Sequence, residues 1–287
     1  MKKMNALLAA GMILTLGAGC SDATAKLSDA KTTVMTVGNK TITKGDMYSF
    51  MVGANGASSV VTNAKAKIAE KEIEITDKMK EDAQSTMDLY TTYYGDYFDD
   101  YLATLGIEAD EYIDKYLLPS ARAERLTYKY VEENFDELTN RYMPIKATIL
   151  AFSDEAKADE ALEALKGGTE ISEVITTYES TSKGEPAVYH AESSLDSAVA
   201  AVIGSYLPED GWQKVAESTG SVYDLIRIEE TDFAAFKDEI VETLGALSSL
   251  SEPSDIYWFT KYGFHIYDKP LYDMIKESNP SLIIQDN

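Results

Sequence analysis

The chain has 287 residues, 45% of them hydrophobic, enough for one or two globular domains with ordinary cores. Its net charge of −23 excludes nucleic acid and anionic lipid as direct partners, because phosphate binding relies on Lys and Arg to neutralise charge. The single cysteine, Cys20, excludes an intrachain disulfide and a cysteine-based metal site.

Lys2 and Lys3 are followed by a mostly apolar run from Ala6 to Ala18 and then by Gly19-Cys20. Positive, apolar and small segments in that order are the layout of a secretory signal. The run is too short to cross a bilayer, which takes roughly 20 apolar residues. With Cys20 at its end it resembles a bacterial lipobox, departing from it at Gly17, where a branched residue is usual. Residues 1–19 are therefore expected to be a lipoprotein signal peptide. A diacylglyceryl group on Cys20 would then hold the chain on the extracytoplasmic face of the bacterial cell membrane, two acyl chains giving stable residence where one does not. Residues 20–31 are small and polar and read as a flexible linker.

Thr33 to Val37 and Lys40 to Ile42 read as strands around a Gly38-Asn39 turn. Thr43 then caps a helix, with Asp46 three residues on as a weak capping box, and Met47, Phe50 and Met51 as its apolar stripe. Gly53 to Ser59 is expected to break that helix, and an irregular stretch to carry the chain to Lys71. From Thr76 to Leu138 the pattern is helical, divided at Gly95 and Gly106 into three helices, the third kinked by Pro119. Met79, Ala83, Met87, Tyr90 and Tyr94 recur at helical spacing and predict one buried face. Nine of the 19 tyrosines fall between Tyr90 and Tyr130. They serve either core packing or a surface for unfolded segments, since tyrosine gives large contact area at low entropic cost.

After Tyr142-Met143-Pro144 the pattern changes. Ile145 to Phe152 suits a strand, Asp154 to Lys166 an amphipathic helix stopped by Gly167-Gly168, and Ile171 to Tyr178 a second helix. Ser180 to Glu185 reads as a loop, Leu195 to Leu207 as a helix and Tyr223 to Ile228 as a closing strand. Together they make a small α+β unit able to fold alone.

Three features occur in a telling order: the lipobox, the hairpin from Val37 to Gly45, and the helix start at Ile75-Thr76-Asp77. Tyr94-Gly95-Asp96-Tyr97 follows them. In that order they resemble the PrsA-type extracytoplasmic foldase lipoproteins. The central unit resembles a parvulin domain through Lys146-Ala147-Thr148-Ile149-Leu150, Asp154 to Ala158 and Leu165-Lys166-Gly167-Gly168. The resemblance implies an α+β, mainly helical fold: a discontinuous helical chaperone domain with a small inserted parvulin-like α/β domain. Residues 32–143 would form the N-terminal part of the chaperone domain, 144–230 the parvulin-like domain, and 231–287 a C-terminal segment completing the chaperone domain.

The family pocket uses two histidines against a peptide-bond rotation barrier near 18–20 kcal/mol. Thr148 stands at the first family position and Asp224 at the second, and the family's Gly-Gly loop is reduced to Lys183-Gly184-Glu185. The chain's own histidines, His190 and His265, lie elsewhere and read as structural or solvent-facing. No metal and no cofactor is implied: two histidines make a poor zinc site, and the acidic clusters Asp96/Asp99/Asp100 and Glu108/Asp110/Glu111 lack the spacing of a calcium loop.

In the tail, Phe233 to Leu250 is helix-like, Ser251 to Pro253 a break, Phe264 to Tyr267 a strand expected to pair with the Val34 to Ile42 hairpin, and Leu271 to Lys276 a final helix. The resemblance implies a membrane-tethered foldase that assists unfolded or partly folded exported proteins, its parvulin-like domain weak or inactive as a prolyl isomerase. An active peptidyl-prolyl isomerase and a solute-binding lipoprotein are the alternatives, and self-association as a homodimer stays open.

Overall fold

A computed structural model describes residues 23–285, so the signal segment and Cys20 lie outside the described residues. The chain divides into two compact units, one of residues 1–126 and 251–287 and the other of 127–250. In chain order the first elements are strands β1 (Thr33–Val37) and β2 (Lys40–Thr43) and helices α1 (Lys44–Glu72), α2 (Asp77–Tyr94), α3 (Asp96–Leu105) and α4 (Ala109–Tyr112). A π-helical turn, Ile113–Leu117, leads into α5 (Leu118–Glu133), and α6 (Phe135–Tyr142) follows. Next come β3 (Ile145–Phe152), α7 (Glu155–Lys166), α8 (Ile171–Tyr178), β4 (Ala187–Tyr189), α9 (Ser197–Ile203), β5 (Gln213–Ala216) and β6 (Tyr223–Glu230). The chain closes with α10 (Lys237–Gly245), α11 (Ser251–Tyr262) and α12 (Lys269–Ser278). The fold is α+β and mainly helical.

In the first unit, Thr43 caps α1 with both halves of a capping box in place. The helix runs on to Glu72, where a break at Gly53 to Ser59 and an irregular stretch to Lys71 were expected. Only Asn55 leaves helical geometry, at φ −155°, and it kinks the helix without ending it. The stripe expected to face inward faces out: Met47, Phe50 and Met51 are exposed. The inward face is Gly45, Tyr48, Val52 and Gly56. A Cβ on Gly45 would sit 3.0 Å from the Ala30 carbonyl oxygen, and one on Gly56 3.0 Å from a Leu271 methyl, so these glycines admit neighbours that any side chain would hold off. Tyr48 bonds Asp268, and burial together with that carboxylate pushes its phenol up to about 12.

Most of residues 23–31 are exposed, and the stretch touches the rest of the first unit at a few points. Ala23 is buried, the Ala25 N–H donates to the Tyr267 carbonyl at 2.7 Å, and the Gly45 N–H to the Ala30 carbonyl at 2.8 Å. The strand expected at Phe264 to Tyr267 is absent, and it does not pair with the hairpin. Its neighbour Asp268 forms a single parallel bridge with Ala25, while the Gln285 amide binds both the N–H and the carbonyl of Ile266, supplying the partners a strand would have supplied.

Gly95 and Gly106 do divide the helices. Gly106 takes the left-handed conformation at φ +67°, and its N–H and that of Ile107 close the end of α3. Beyond it the single helix expected is four pieces, α4, the π turn, α5 and α6. The π turn just before Pro119 absorbs the missing N–H and the ring bulk of the proline. Met79, Ala83 and Leu118 form one core cluster and Met87, Phe98 and Leu102 another. Ser251 to Pro253 starts α11 in place of breaking the chain, with Pro253 in the first turn where its lost N–H costs nothing. Trp258 on α11 is 1% exposed, and its indole N–H donates to the Leu126 carbonyl at 2.9 Å. Lys65 and Asp255 pair at 2.8 Å.

The second unit holds a four-stranded antiparallel sheet in the order β4-β3-β6-β5. β3, α7, α8 and β6 lie where the sequence places them, β6 running on to Glu230. β4 and β5 are short additions, and α9 is shorter than the helix expected from Leu195 to Leu207. Asp154 caps α7, accepting from the Lys157 N–H at 2.9 Å. One sheet face packs Leu150, Phe152 and Leu225 against α7 and α8, and the other packs Ala147, Ile226 and Ile228 against Val199 and Ile203 of α9. A third cluster joins Val131, Leu138 and Tyr142 to Phe236, Ile240, Leu244 and Leu250. The second unit therefore extends beyond 144–230 at both ends, because α10 buries its apolar face on α5 and α6. Gly245 makes that approach tight: a Cβ there would lie 2.4 Å from the Tyr128 ring.

Candidate functional site

The two positions singled out on the sheet do not meet. Thr148 pairs in register with Arg227, and Asp224 with Ala151, on adjacent strands β3 and β6. Side chains alternate between faces with period two, so residues three apart on one strand point opposite ways. Thr148 accordingly lies on the α7/α8 face and Asp224 on the α9 face. A pocket with both groups on its floor cannot form.

On its own face Thr148 is fully buried and donates its hydroxyl to Glu229. Glu229 Oε1 also accepts from Arg227 Nε at 3.0 Å, and the Arg227 guanidinium lies 4.9 Å from the centre of the Trp212 ring. Thr148 is one end of a satisfied structural ladder. The Lys183-Gly184-Glu185 loop closes over the same side: a Cβ on Gly184 would stand 2.6 Å from Ile171 and 3.1 Å from Leu150, at φ +72°.

Asp224 is 4% exposed. Burial, then the neighbouring Glu217 and Asp196 carboxylates, push its carboxyl up to about 6, and a hydrogen bond from the Asp224 carboxyl to Glu217 works in the same direction. Burial and Asp224 raise the Tyr189 phenol. Asp196 does a different job, capping α9 through the Ala198 N–H at 2.8 Å and binding Ser218 through its N–H and hydroxyl. Those Ser218 bonds hold the Asp196 carboxyl below the usual carboxylate range. From β3 this face receives Ala147, Ile149 and Ala151, so Asp224 has acidic and apolar neighbours and no cationic or amide group beside it from that strand.

Glu217, Asp196 and Tyr189 are not legible as a site in the sequence. One signal was present: the Ser218 to Ser221 turn makes β5 and β6 a hairpin, with Val215 opposite Asp224, and period two then puts Glu217 on the Asp224 face.

The histidines stay apart from this cluster. His190 Nδ1 accepts from the Glu192 N–H at 3.2 Å, its ring meets Tyr142 edge-on at 6.1 Å, and burial lowers its pKa. His265 packs on Tyr267, ring centres 4.5 Å apart. Among the described residues no group of three or more His, Cys, Asp or Glu is arranged to hold a metal ion, and no helix is long and apolar enough to cross a membrane.

The other candidate is the tyrosine-rich region of the first unit, which combines both readings of that composition. Met87, Phe98 and Leu102 form the buried base, with Tyr90 and Tyr112 packed against it. From there a chain of ring contacts runs outward. Tyr93 meets Tyr94 at 4.9 Å, Tyr94 meets Tyr90 at 6.1 Å, Tyr90 meets Phe98 at 5.6 Å, Phe98 meets Tyr112 at 5.4 Å and Tyr112 meets Tyr116 at 5.0 Å. Tyr101 joins this chain at Phe98. Tyr93 is 77% exposed and Tyr97 84%, and Leu89, Tyr94, Tyr101 and Tyr116 are exposed beside them. Val34, Met35, Val37, Met47, Phe50 and Met51 make a further exposed apolar set on the hairpin and the start of α1. Among the described residues the second unit exposes two large hydrophobic side chains, Met143 and Leu207.

The chain matches no protein-family model, and no curated protein matches it. Similar solved structures do exist. The foldase protein PrsA from Streptococcus pneumoniae is 16% identical, with 86% of this chain and 99% of that one covered at a TM-score of 0.44. A peptidylprolyl isomerase (PrsA) from Bacillus cereus is 17% identical, with 87% and 99% covered at 0.45, and PrsA from Bacillus subtilis is 18% identical, with 86% and 99% covered at 0.37. Each of these three solved structures is of a PrsA protein. At such identity, residue roles do not carry over from a PrsA structure, and those of Thr148, Asp224 and the tyrosines rest on their own surroundings.

Proposed function

We propose that this chain is a foldase of exported proteins, tethered through a diacylglyceryl group on Cys20 to the extracytoplasmic face of the membrane. Unfolded segments would be held on the exposed aromatic and apolar surface of the first unit. One observation carries the reading: large hydrophobic side chains stand in solvent across the first unit while the second hides nearly all of its own. Contiguous exposed apolar surface of this kind marks interaction sites, and tyrosine and methionine are suited to partners of many sequences.

The second unit is then a weak or silent proline isomerase. This is supported by Thr148 and Asp224 facing opposite ways, by the engagement of the Thr148 hydroxyl with Glu229, and by the want of a donor from β3 beside Asp224. An active isomerase is the second reading, favoured by the near-neutral buried carboxyl of Asp224 beside Tyr189.

Light scattering of a denatured, aggregation-prone test protein, with and without the full-length chain, tests the holding activity. The wild-type chain is expected to suppress aggregation, and a Tyr93→Ser/Tyr97→Ser/Tyr116→Ser variant to lose most of that effect with its helix content unchanged. Suppression equal in the two would overturn the assigned surface. In a protease-coupled proline isomerisation assay the wild type and a Thr148→Ala/Asp224→Ala variant are expected to be equally inactive. Turnover by the wild type above the variant would establish the second reading.

A further inference from the structure

The tyrosine surface carries a charge pattern that its aromatic content does not require. Between Lys80 and Lys115 the chain holds ten Asp and Glu and no Lys or Arg. Asp82 pairs with Lys78 and Glu111 with Lys115, and Glu111 also accepts from the Glu108 N–H at 3.2 Å. Asp96, Asp99, Asp100, Asp110 and Asp114 have no ion-pair partner among the described residues, although Asp96 and Asp99 also favour the first turn of α3 through its dipole.

The tyrosine rings of this surface meet one another, but no cation among the described residues covers them. Elsewhere this protein covers its aromatic rings with its own cations: Lys71 over Tyr262, Lys214 over Tyr223, Arg227 over Trp212, Lys237 over Phe135, Lys261 over Trp258 and Lys276 over Tyr272. No described Lys or Arg lies over a ring from Tyr90 to Tyr116. Asp96, Asp99 and Asp100 alternate with Tyr97 and Tyr101 along α3, so carboxylates and exposed π faces are interleaved on one short helix.

We propose that this surface selects cationic unfolded segments, with Lys and Arg side chains of the client lying on the tyrosine faces and their charged ends meeting the unpaired carboxylates. An Arg or Lys over an aromatic face is attracted by the ring quadrupole. Its aliphatic stem covers apolar surface while its head remains in water, which suits a shallow exposed patch. The field of the surrounding carboxylates speeds encounter with such clients and repels acidic ones.

The inference rests on the holding activity proposed above and names the chemical class of what is held. Its test is fluorescence anisotropy with the full-length chain and two unstructured peptides of the same length and apolar content. One carries four lysines and the other glutamine at those positions. The lysine peptide is expected to bind about tenfold more tightly at low salt, the gap closing as salt is raised. Asp96→Asn/Asp99→Asn/Asp100→Asn is expected to reduce the gap, and Tyr97→Ser/Tyr101→Ser to weaken the lysine peptide more than the glutamine one. Equal binding of the two peptides would overturn the selectivity and leave the holding activity standing. Failure of both to bind would overturn the holding activity itself, and a gap unmoved by either variant would place selection elsewhere on the chain.

Discussion

Replacing Trp258 by alanine is expected to destabilise the first unit by about 3–5 kcal/mol, the usual cost of emptying a buried aromatic site. Trp258 is 1% exposed and stands beside Phe259, itself fully buried and stacked on Phe264 at 4.3 Å. Its indole N–H reaches the Leu126 carbonyl, tying α11 to α5 across 132 residues of sequence. That tie holds the two separated segments of the unit in register, so the loss should be felt by both. Trp258→Phe keeps a six-membered ring but loses the indole bond and some buried volume, and is expected to cost less than alanine, about 1–3 kcal/mol. Native-state amide exchange in α1, α5 and α11 measures both. Loss of protection confined to α11 would show that the separated segments are not mutually dependent.

Asp224→Asn is expected to stabilise the second unit at pH 7.5 by as much as about 3 kcal/mol, the full linkage value of moving a carboxyl from 3.8 to about 6. The sign follows from the direction of the shift. A carboxyl whose folded pKa is raised favours the protonated state in the fold, so its ionisation works against folding. Stability falls as pH rises from about 3.8, and the whole penalty is present above about 6. Acidifying from pH 7.5 to 5 should therefore strengthen the wild type by about 1.4 kcal/mol relative to the asparagine variant. Asp196 and Glu230, whose carboxyls are held low, weaken the fold only at more acid pH, whereas His190, whose pKa burial lowers, opposes the gain within this window in wild type and variant alike, so the difference between the two isolates Asp224. Urea melts at the two pH values decide it: an Asp224→Asn variant no more stable than wild type at pH 7.5 would mean that Asp224 is solvated.

Much of the second unit could be read directly. β3, α8 and β6 announce themselves by β-branched runs or helical spacing within a single window, and α7 by its alanine face and Asp154 cap. What could not be read depended on distant partners. The inward stripe of α1 passes through Gly45 and Gly56, which carry no apolar signal and matter because Ala30 and Leu271 come close to them. Met47, Phe50 and Met51 therefore read in the sequence as the core side. Phe264 to Tyr267 alternates like a strand, yet at Ile266 the backbone is satisfied by a side chain nineteen residues on. The sequence pattern puts Thr148 and Asp224 on strands, β3 and β6, but which face each occupies is set by register, and an odd offset reverses the answer. The tyrosine enrichment was plain in the sequence. Whether it was core or surface was not, and the fold makes it both.

The most direct measurement is amide hydrogen exchange of the full-length chain with and without an excess of a permanently unfolded client. New protection is expected in α2, α3 and the π turn, around Tyr93, Tyr97 and Tyr116, with β4, α9 and β6 around Asp224 unchanged. Protection that gathers instead around Tyr189, Val199 and Asp224, with none from Tyr90 to Tyr116, would contradict the account and make the sheet of the second unit the working site.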